Sequence, residues 1–468
     1  MFELKNQMLS NETILPQVLQ ELDKDSLIGI IIKQGQRIEE LTEREKELLR
    51  QLAELEKAGK RQAAPFRIED KKRKADKKKA GAKKGHKGHY RQVSGPIDER
   101  AEVSLEGCPQ CGKAVFDVKA VKQVVEELVL RPHRIALTTY QGKCKDCGLV
   151  HSTHPMQTSH AQGSAGCHLG KQATATALLL NHRYGMSKRK VAELFTDYFH
   201  LPLSIGGLVQ MQHRMADGFL PEYEALGQQA KDSDVLHSDE TSGPPRGWYV
   251  GEPKHWLWSF TNADLTYYRV EENRNREVIE QVIGDEYQGV LVSDCLVIYD
   301  DVCDKQQKCY AHHLKAISGA LQSEPKSAYL LAWQVLLQDA IAWKDQQSTL
   351  SAQAYRDGYI KLAIRSVELL KSPPENPAEE RIRNRLEKQA DHLFTFLLHE
   401  PVPATNNAAE RSLRPAVVHR KISCGNKTRK GADTWQVLAS VVTTTEQRNG
   451  VPFDQKVADL IEQRLQSR

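Results

Sequence analysis

The sequence contains no long apolar run and no targeting pattern at its start, and both absences narrow the class of protein. No stretch approaches the roughly 20 apolar residues that cross a bilayer. The opening segment MFELKNQMLSNETILPQ has no basic start followed by an apolar core, so we expect no secretory signal. Hydrophobic residues make up 40% and charged residues 27%, as in ordinary globular proteins. A membrane protein, a secreted disulfide scaffold and a disordered chain are disfavoured, and the 468 residues predict a cytoplasmic protein of about three domains.

Acidic residues are scarce in one segment, residues 59–95. Between Lys60 and Arg91 there are fourteen Lys or Arg residues but only three acids, although the whole chain carries a net charge of only +5. Large apolar residues are nearly absent there, so we interpret the segment as a flexible basic linker. Such a linker can contact DNA phosphates without reading sequence, and its alternative role is a solubilising tether. The densest basic run is Lys71, Lys72, Arg73 and Lys74.

Residues 1–58 are predicted to form a helical, leucine-zipper-like segment. Within 26–58, six apolar residues fall on the two seam positions of a heptad, and Glu45 interrupts the seam. They are Ile31, Ile38, Leu41, Leu48, Leu52 and Leu55. The pattern favours a short two-stranded coiled coil and hence a homo-oligomer, although a single amphipathic helix packed on its own domain fits equally well.

Residues 96–155 are predicted to form a β-rich zinc-finger domain. Two Cys-x-x-Cys knuckles, each followed by a glycine, are separated by 32 residues, and each tight turn can present two thiolates to a shared Zn²⁺. Four thiolates leave no open coordination position, so we expect a structural zinc. The intervening stretch 122–143 is rich in β-branched residues and is predicted to form strands. The expected zinc ligands are Cys108, Cys111, Cys144 and Cys147.

The other five cysteines are scattered along the chain, and we expect them to be packing residues. They are Cys167, Cys295, Cys303, Cys309 and Cys424.

Residues 165–230 are predicted to be helical. Three segments carry a helical apolar stripe, and Ser187 and Ser204 precede two of them in the position of N-caps. Two helices joined by HLPLS favour a unit like a helix-turn-helix, which would add a DNA contact. A plain helical connector is an equally good interpretation.

From residue 231 the periodicity becomes strand-like. Three strands (VLHSDET, GWYVGEPKHWLWSFT and DLTYYRVEE), a helix and a fourth strand (GVLVSD) follow in order, which is the opening of an RNase H-like fold. Residues 231–430 are expected to form this domain, with a helical insertion at about 314–400 and a C-terminal helical region at 431–468. The predicted fold class is multidomain α/β, with an RNase H-like core preceded by the coiled-coil, zinc-binding and helical segments.

Three acids of this domain form a candidate catalytic site. Asp239 follows the first strand, Asp294 ends the fourth, and Glu410 lies near the start of a later helix. In an RNase H-like sheet the first and fourth strands are neighbours, so the two aspartates should be adjacent. Carboxylates that close repel each other unless a cation lies between them. Paired Mg²⁺ ions (or Mn²⁺), which prefer oxygen ligands, would meet that need and suit phosphodiester cleavage.

The segment after Glu410 favours a phosphate-facing surface. It has seven basic residues and no acid between Arg411 and Lys430. Asn406 and Asn407 can cap the helix and hydrogen-bond backbone or phosphate. The DNA contacts expected here are Asn407, Arg411, Arg414, Arg420 and Lys421.

With these motifs in order, the chain resembles the insertion-sequence-66 family of transposases, DDE-type enzymes of bacterial mobile elements. The resemblance covers most of the chain, including the basic GHKGH at Gly85–His89, the paired knuckles, HSDET and CYAH at Cys309–His312. The most specific match is NNAAERSLRP at Asn406–Pro415, followed by Arg420 and Lys421.

The resemblance implies a function and a site. Asp239, Asp294 and Glu410 would be the catalytic triad that binds Mg²⁺, and the knuckles would be the zinc finger. The activity would be DNA strand cleavage and strand transfer at the ends of an insertion sequence. The partners would be double-stranded DNA of the element ends and target, a second copy of the chain and accessory proteins of the same element.

The chain departs from the family pattern at three places, and the first is the family's Gly-Gly-Gln-Pro-Gly-His run, which is only partly kept. Cys295 and Leu296 follow Asp294 where the family has Gly-Tyr, and His313-Leu-Lys315 stands where the family has an Arg pair. Two rival functions also remain: a nuclease of the same fold that cuts without joining, and a catalytically inactive, zinc-dependent DNA-binding regulator.

Overall fold

The structure is a computed structural model that describes Gln36, Glu43 and residues 96–125, 128, 130–159, 168–242, 255–423 and 425–466. The rest of the predicted zipper-like segment and the basic linker lie outside these residues, and so do Cys167, Cys424 and the run Lys71, Lys72, Arg73 and Lys74. The chain divides into two compact units, Met1–Glu126 and Glu127–Arg468. The predicted zinc-finger domain has residues in both.

The first unit contributes residues 96–125, which contain no helix or strand. The first knuckle is a tight turn in which the amide of Gly112 donates to the carbonyl of Cys108 at 2.8 Å, and the amide of Cys108 donates to the carbonyl of Lys113 at 2.8 Å. Gly112 has a φ of 71°, in the left-handed region that glycine adopts without steric cost.

The second unit opens with an antiparallel hairpin of β1 (Gln141–Cys144) and β2 (Gly148–His151), whose turn holds the second knuckle. The prediction of strands over 122–143 is wrong for its described residues before Gln141, which form none. Their large apolar side chains are exposed, for example Leu128 at 76%. A strand requires a paired neighbour and a surface to bury its side chains, and β-branched composition alone supplies neither.

Three helices follow, as the apolar stripes predict. They are α1 (Lys171–His182), α2 (Lys188–Asp197) and α3 (Ile205–Lys231). The Ser187 hydroxyl accepts the amide of Lys190 at 3.3 Å, and the Ser204 hydroxyl accepts the amide of Gly207 at 3.0 Å. Both predicted N-caps are therefore confirmed.

A five-stranded sheet forms the centre of the second unit. Its strands, with the helix that links the third to the fourth, are β3 (Val235–Ser242), β4 (Trp256–Thr261), β5 (Thr266–Glu271), α4 (Arg276–Ile283), β6 (Val290–Ser293) and β7 (Gln306–Lys308). The spatial order is β5-β4-β3-β6-β7; β3 and β5 are antiparallel to β4, whereas β6 is parallel to β3 and β7 is parallel to β6. The predicted succession of elements and the adjacency of the first and fourth strands are confirmed.

Helices occupy most of the chain after β7. Those in the region of the predicted insertion are α5 (Tyr310–Ser323), α6 (Ala328–Lys344), α7 (Ala352–Lys371), α8 (Pro377–Glu387) and the short α9 (Thr395–Leu398). Asn376 caps α8 by accepting the amides of Ala378 and Glu379, each at 3.0 Å. The C-terminal helices are α10 (Asn407–Ser423), α11 (Arg429–Arg448) and α12 (Phe453–Gln466).

Alternation along the strands divides the core between the two faces of the sheet. On one face Leu236, Trp258 and Leu291 pack in a cluster with α3, α4 and α11. On the other face Leu257 packs with α10 and α11, and Val292 packs with the insertion helices. The helix that carries Glu410 and the insertion therefore cover the same face. Among the described residues, no helix combines the length and apolar content needed to cross a bilayer.

Candidate active site

Asp239 lies within β3, two residues beyond its last pairing with β6, and Asp294 directly follows β6. The expectation that Asp239 follows its strand is therefore wrong, because β3 continues to Ser242 by pairing with β4. The parallel register pairs His237 with Val292, and two residues further along it matches Asp239 with Asp294. Neighbouring strands are about 4.8 Å apart, and residues two apart point to the same face of a sheet. The structure thus brings the two aspartates together on the face covered by α10, and both side chains are partly exposed.

Glu410 is held near this pair because the start of α10 is hydrogen-bonded to β3. The carboxamide of Asn406, which is 1% exposed, donates to the carbonyl of Ser238 at 2.8 Å and contacts Nδ1 of His237 at 3.0 Å. The Asn406 amide donates to Sγ of Cys309 at 3.2 Å, and its carbonyl accepts the Glu410 amide at 3.3 Å. Asn406 was expected to cap the helix or to hydrogen-bond backbone or phosphate, and the structure shows the bond to backbone, at the carbonyl of Ser238.

The negative charges of Asp294 and Glu410 both act on Asp239. The pKa of Asp239 is raised well above its ordinary value, first by burial and then by the negative charges of Glu240, Asp294 and Glu410. The Glu240 amide, which donates to Oδ1 of Asp239 at 2.9 Å, opposes that shift. The Glu410 charge also contributes, after burial, to the raised pKa of the Cys309 thiol. Repulsion within this cluster would be relieved by a cation.

Glu240 is adjacent to Asp239 in sequence but lies on the opposite face of β3. Its carboxylate accepts the Tyr299 hydroxyl and Nε of Arg274 at 2.7 Å, and the guanidinium of Arg274 lies 4.5 Å from the centre of the Trp256 ring. Burial raises the pKa of Glu240, and these two hydrogen bonds oppose the rise. Glu240 is thus hydrogen-bonded within the fold and supports the strand that carries Asp239.

Sequence reasoning missed Lys308, a fully buried lysine at the end of β7. Its Nζ donates to the carbonyl of Tyr299 at 3.0 Å and lies 3.5 Å from Oδ1 of Asp300. Burial lowers the pKa of Lys308, whereas the charges of Asp300 and, more weakly, Asp294 raise it. Lys388 also pairs with Asp300 at 2.7 Å, so the network links β7 to the chain after α8. The three consecutive polar residues Gln306–Lys308 give no sequence signal for a buried lysine.

Cys295 and His313, which both differ from the family pattern, lie in contact. Sγ of Cys295 lies 3.5 Å from Nε2 of His313, and Nε of Arg385 donates to Nδ1 of His313 at 3.3 Å. His313 is therefore neutral with its proton on Nε2, and burial lowers its pKa to about 3. Burial also raises the pKa of the Cys295 thiol to about 11, so the thiol is a packed neutral group beside Asp294.

Four of the five expected DNA contacts after Glu410 form one exposed stripe on α10. Asn407, Arg411, Arg414 and Lys421 are exposed and recur at helical spacings of four, three and seven. At 1.5 Å per residue the stripe extends about 21 Å from the start of the helix. Arg420 lies off the stripe and is half-buried, and burial lowers its pKa.

Each knuckle has the local geometry that favours thiolates. The pKa of Cys108 is lowered by the backbone amides of Gln110 and Cys111, and the pKa of Cys144 is lowered by amides of its own knuckle. Amides that point at sulfur favour the deprotonated form that binds metal. Gly148, like its counterpart in the first knuckle, has a positive φ, here 75°.

The donor types fit the expected metals, but the side chains do not form closed metal sites. In the described part of the chain, no three His, Cys, Asp or Glu side chains form a group that could hold a metal ion. The adjacent oxygen donors Asp239 and Asp294 suit Mg²⁺, which is usually bound by one or two carboxylates together with substrate phosphates. Burial, and after it the neighbouring carboxylate charges, raise the pKa of Asp239, and a bound cation would oppose both effects.

The fold and this cluster define a mixed α/β protein with a carboxylate site at the ends of two parallel strands. Residues 166–434, more than half of the chain and including all three acids, match the model of the Transposase IS66 family, and the chain belongs to that family. It is also similar to the uncharacterized protein y4qI of Sinorhizobium fredii (strain NBRC 101917 / NGR234), with 23% identity over 256 residues that make up 48% of the chain and 47% of the relative. The chain thus spans about half the length of this curated relative.

Proposed function

We propose that the chain is a DDE-type transposase whose sheet is an RNase H-like core and whose activity is metal-dependent cleavage and transfer of DNA strands. The parallel register of β3 and β6 carries this proposal, because it sets Asp239 opposite Asp294 on the face to which α10 brings Glu410. Family membership supports a transposase, and the electrostatic coupling of the three acids supports a shared cation site.

In this proposal the reaction has two steps at the same acids. Water first attacks a phosphodiester at the element end, which breaks the bond to the 3′ oxygen and leaves a free 3′-OH. That hydroxyl then attacks a target phosphodiester, so that one bond is formed and another 3′-OH is released. Bound Mg²⁺ or Mn²⁺ would activate the attacking oxygen and stabilise the leaving oxygen. Asp239 and Asp294 would bind both ions and Glu410 one.

The exposed stripe on α10 would position the DNA. Arg411, Arg414 and Lys421 would contact phosphates, and Asn407 would hydrogen-bond to the backbone nearest the acids. Arg420 has less reach, since it is half-buried. Contacts of this kind hold the substrate in register but do not read sequence.

The remaining segments would serve recognition and assembly. Cys108, Cys111, Cys144 and Cys147 would hold a structural Zn²⁺, and that domain together with α1–α3 would recognise the element ends. The basic linker would add non-specific hold on DNA. The zipper-like segment would give a homo-oligomer, and accessory proteins of the same element would be further partners of this cytoplasmic enzyme.

The test uses end-labelled duplexes taken from the DNA that flanks the coding sequence. With Mg²⁺, the wild-type protein should produce cut strands and strands joined to a second duplex, and Asp294→Asn should abolish both while retaining DNA binding. Cut strands without joined strands would support the nuclease alternative. Binding without any cutting in Mg²⁺ or Mn²⁺ would support the regulator and overturn the assignment.

A further inference from the structure

A cavity of about 440 Å³ opens between α3, α12 and the loop that joins α2 to α3. Its floor is apolar: Met211 and Met215, four residues apart on α3, and Ile461 of α12 line it and are each at most 6% exposed. Leu201 and Leu203 of the loop also line it. Pockets that hold drug-sized ligands measure roughly 300–1,000 Å³, so the cavity suits an organic ligand better than a lone ion.

Three arginines from separate parts of the fold line the same cavity. They are Arg134, which precedes β1, Arg214 on α3 and Arg464 on α12. Arg134 and Arg214 are exposed and Arg464 is half-buried, so the positive charges lie at the mouth, above the buried floor. No lining residue that the structure describes is acidic, and no ion pair between described residues includes any of the three. The cavity therefore favours a ligand that has an apolar body and an anionic group.

Hydrogen bonds to backbone hold two of these arginines in place. Nη1 of Arg464 donates to the carbonyl of Arg214 at 2.6 Å and so joins α12 to α3. Nη2 of Arg134 donates to the carbonyl of His200 at 3.0 Å. His200 has a φ of 51°, in a region that residues other than glycine seldom adopt, so this contact fixes an unusual loop conformation. A guanidinium has five N–H donors, so each of these arginines can still donate to a bound anion.

The cavity is separate from the acids. The residues of its floor belong to the core cluster that packs with Leu236 and Leu291 on one face of the sheet, whereas α10 and the acids lie on the other face. It also lies in the helical region to which we assigned recognition of the element ends. A ligand in this cavity would therefore take part in DNA recognition and not in the chemical steps.

We propose that this cavity receives one nucleotide extruded from the DNA duplex, with its base on the apolar floor and its phosphate at the arginines. A base that leaves the stack needs an apolar or aromatic surface in its place, and methionine sulfur makes favourable contacts with aromatic rings. Guanidinium groups match phosphate oxygens in a bidentate geometry. This deepens the proposed function, on which the choice of DNA as the source of the nucleotide rests.

The experiment compares two fluorescent duplexes that differ only in one unpaired nucleotide. Binding of each to the full-length chain is measured by anisotropy in EDTA. The wild type should bind the duplex with the unpaired nucleotide at least about fivefold more tightly, the lower end of what contacts to one base contribute. The reason is that this nucleotide can enter the cavity without the disruption of a base pair.

Two variants test the charge and the volume of the cavity separately. Arg214→Met removes a charge at the mouth, and Leu203→Trp fills space; each should abolish the preference for the unpaired nucleotide. The control is Arg356→Met, which removes an exposed arginine on α7 outside the cavity and should keep the preference. The guanidinium of Arg214 makes no hydrogen bond to another described residue, since only its backbone carbonyl accepts from Arg464, so Arg214→Met should retain the wild-type Tm.

Three results would overturn the proposal. One is a wild type that binds both duplexes equally. Another is a preference that Arg214→Met loses but Leu203→Trp keeps, because the arginine would then contact phosphate without any base entering the cavity. The third is a preference that disappears only in variants whose Tm falls, because the substitutions would then act through the fold.

Further probes distinguish other sources of the ligand. If deoxynucleoside monophosphates raise the Tm of wild type but not of Arg214→Met, while neither duplex is preferred, the cavity binds free nucleotides and the DNA assignment is wrong. If instead a fluorescent peptide of leucine and glutamate binds wild type but not Arg214→Met, the occupant is a protein segment and the assignment is equally wrong.

The outcome is independent of catalysis, because binding is measured in EDTA. A protein that cuts and joins DNA but shows no preference for the unpaired nucleotide would refute this inference and leave the proposed function intact. A protein that shows the preference but never cuts DNA would refute the proposed function and leave the cavity assignment intact.

Discussion

The replacement of Asp239 by asparagine should stabilise the metal-free protein although it destroys the proposed activity. Asp239 lies opposite Asp294 in the register of β3 and β6, and its raised pKa shows that the folded state disfavours its charge. Asparagine keeps the shape and removes the charge. A residue kept for structure would show the opposite result, because its replacement would lower stability.

The expected gain follows from the geometry of the two strands. Two unit charges about 5 Å apart, a distance set by the spacing of neighbouring strands, repel by about 3 kcal/mol at an effective dielectric constant near 20 and by less than about 1 kcal/mol in bulk water. Because both side chains are partly exposed, we expect about 1–3 kcal/mol. At about 2–4 °C per kcal/mol for domains of 150–250 residues, the Tm should rise by roughly 2–12 °C.

The assay is thermal unfolding in EDTA at neutral pH, with Asp285→Asn as the control. Asp285 is an exposed aspartate outside the site, and its replacement should leave the Tm unchanged. Since the folded-state pKa of Asp239 is raised, its unfavourable effect is present at neutral pH and is lost as the pH falls and the carboxyl group is protonated. The difference between the variant and wild type should therefore shrink towards acidic pH.

Added Mg²⁺ should reverse the order. A ligand that binds only the folded state raises stability by mass action, so wild type should gain in Tm and Asp239→Asn should gain much less. A lowered Tm for Asp239→Asn in EDTA, or an equal gain of both proteins in Mg²⁺, would refute the placement of repelling carboxylates around a cation site.

Three further outcomes are expected. Asn406→Ala should lower the free energy of unfolding, measured in urea, by about 1–3 kcal/mol, because the buried carbonyl of Ser238 loses its donor. The variant should still fold but should cleave DNA strands more slowly. An unchanged cleavage rate would show that the link from β3 to α10 is dispensable. The pKa of His313, about 3, keeps this imidazole neutral in the folded state between pH 6 and 4, where it is protonated in the unfolded state. The free energy of unfolding of wild type should therefore fall by about 1.4 kcal/mol per pH unit in that range through this group. His313→Asn should show a slope shallower by that amount in urea unfolding, and identical slopes would contradict a neutral His313. Cys108→Ser should loosen residues 100–155 and spare the catalytic fold in proteolysis, and wild-type protein without stoichiometric zinc would rule out the zinc assignment.

The sequence predicted the sheet well because its signals are local. Alternation along β3, β4 and β5, the buried run of β6 and the caps Ser187 and Ser204 are all properties of neighbouring residues. The pairing of β3 with β6 followed from the order of the elements. The prediction of strands between the knuckles was wrong because strand formation also needs a pairing partner, which neighbouring residues do not reveal. In the described part of the chain, the β-branched residues there pair only in the short β1–β2 hairpin.

The candidate site was only partly readable, because much of it depends on contacts between distant segments. The acids could be named from their positions at strand ends and at the start of a helix. The hydrogen bond from Asn406 to Ser238 spans 168 residues, and the network of Lys308 reaches Lys388 through Asp300. The location of Glu240 on the opposite face of β3 depends on strand parity at a single position. No local pattern carries that information.

The contact between Cys295 and His313 restricts which substitutions these two positions tolerate during evolution. A glycine at 295 would remove the sulfur that faces Nε2 of His313, and an arginine at 313 would bring a second guanidinium beside Arg385. Either change alone is unfavourable, so the two positions should be exchanged together or not at all. Relatives that carry cysteine at the position of Cys295 should therefore carry histidine at the position of His313, so that the two residues covary.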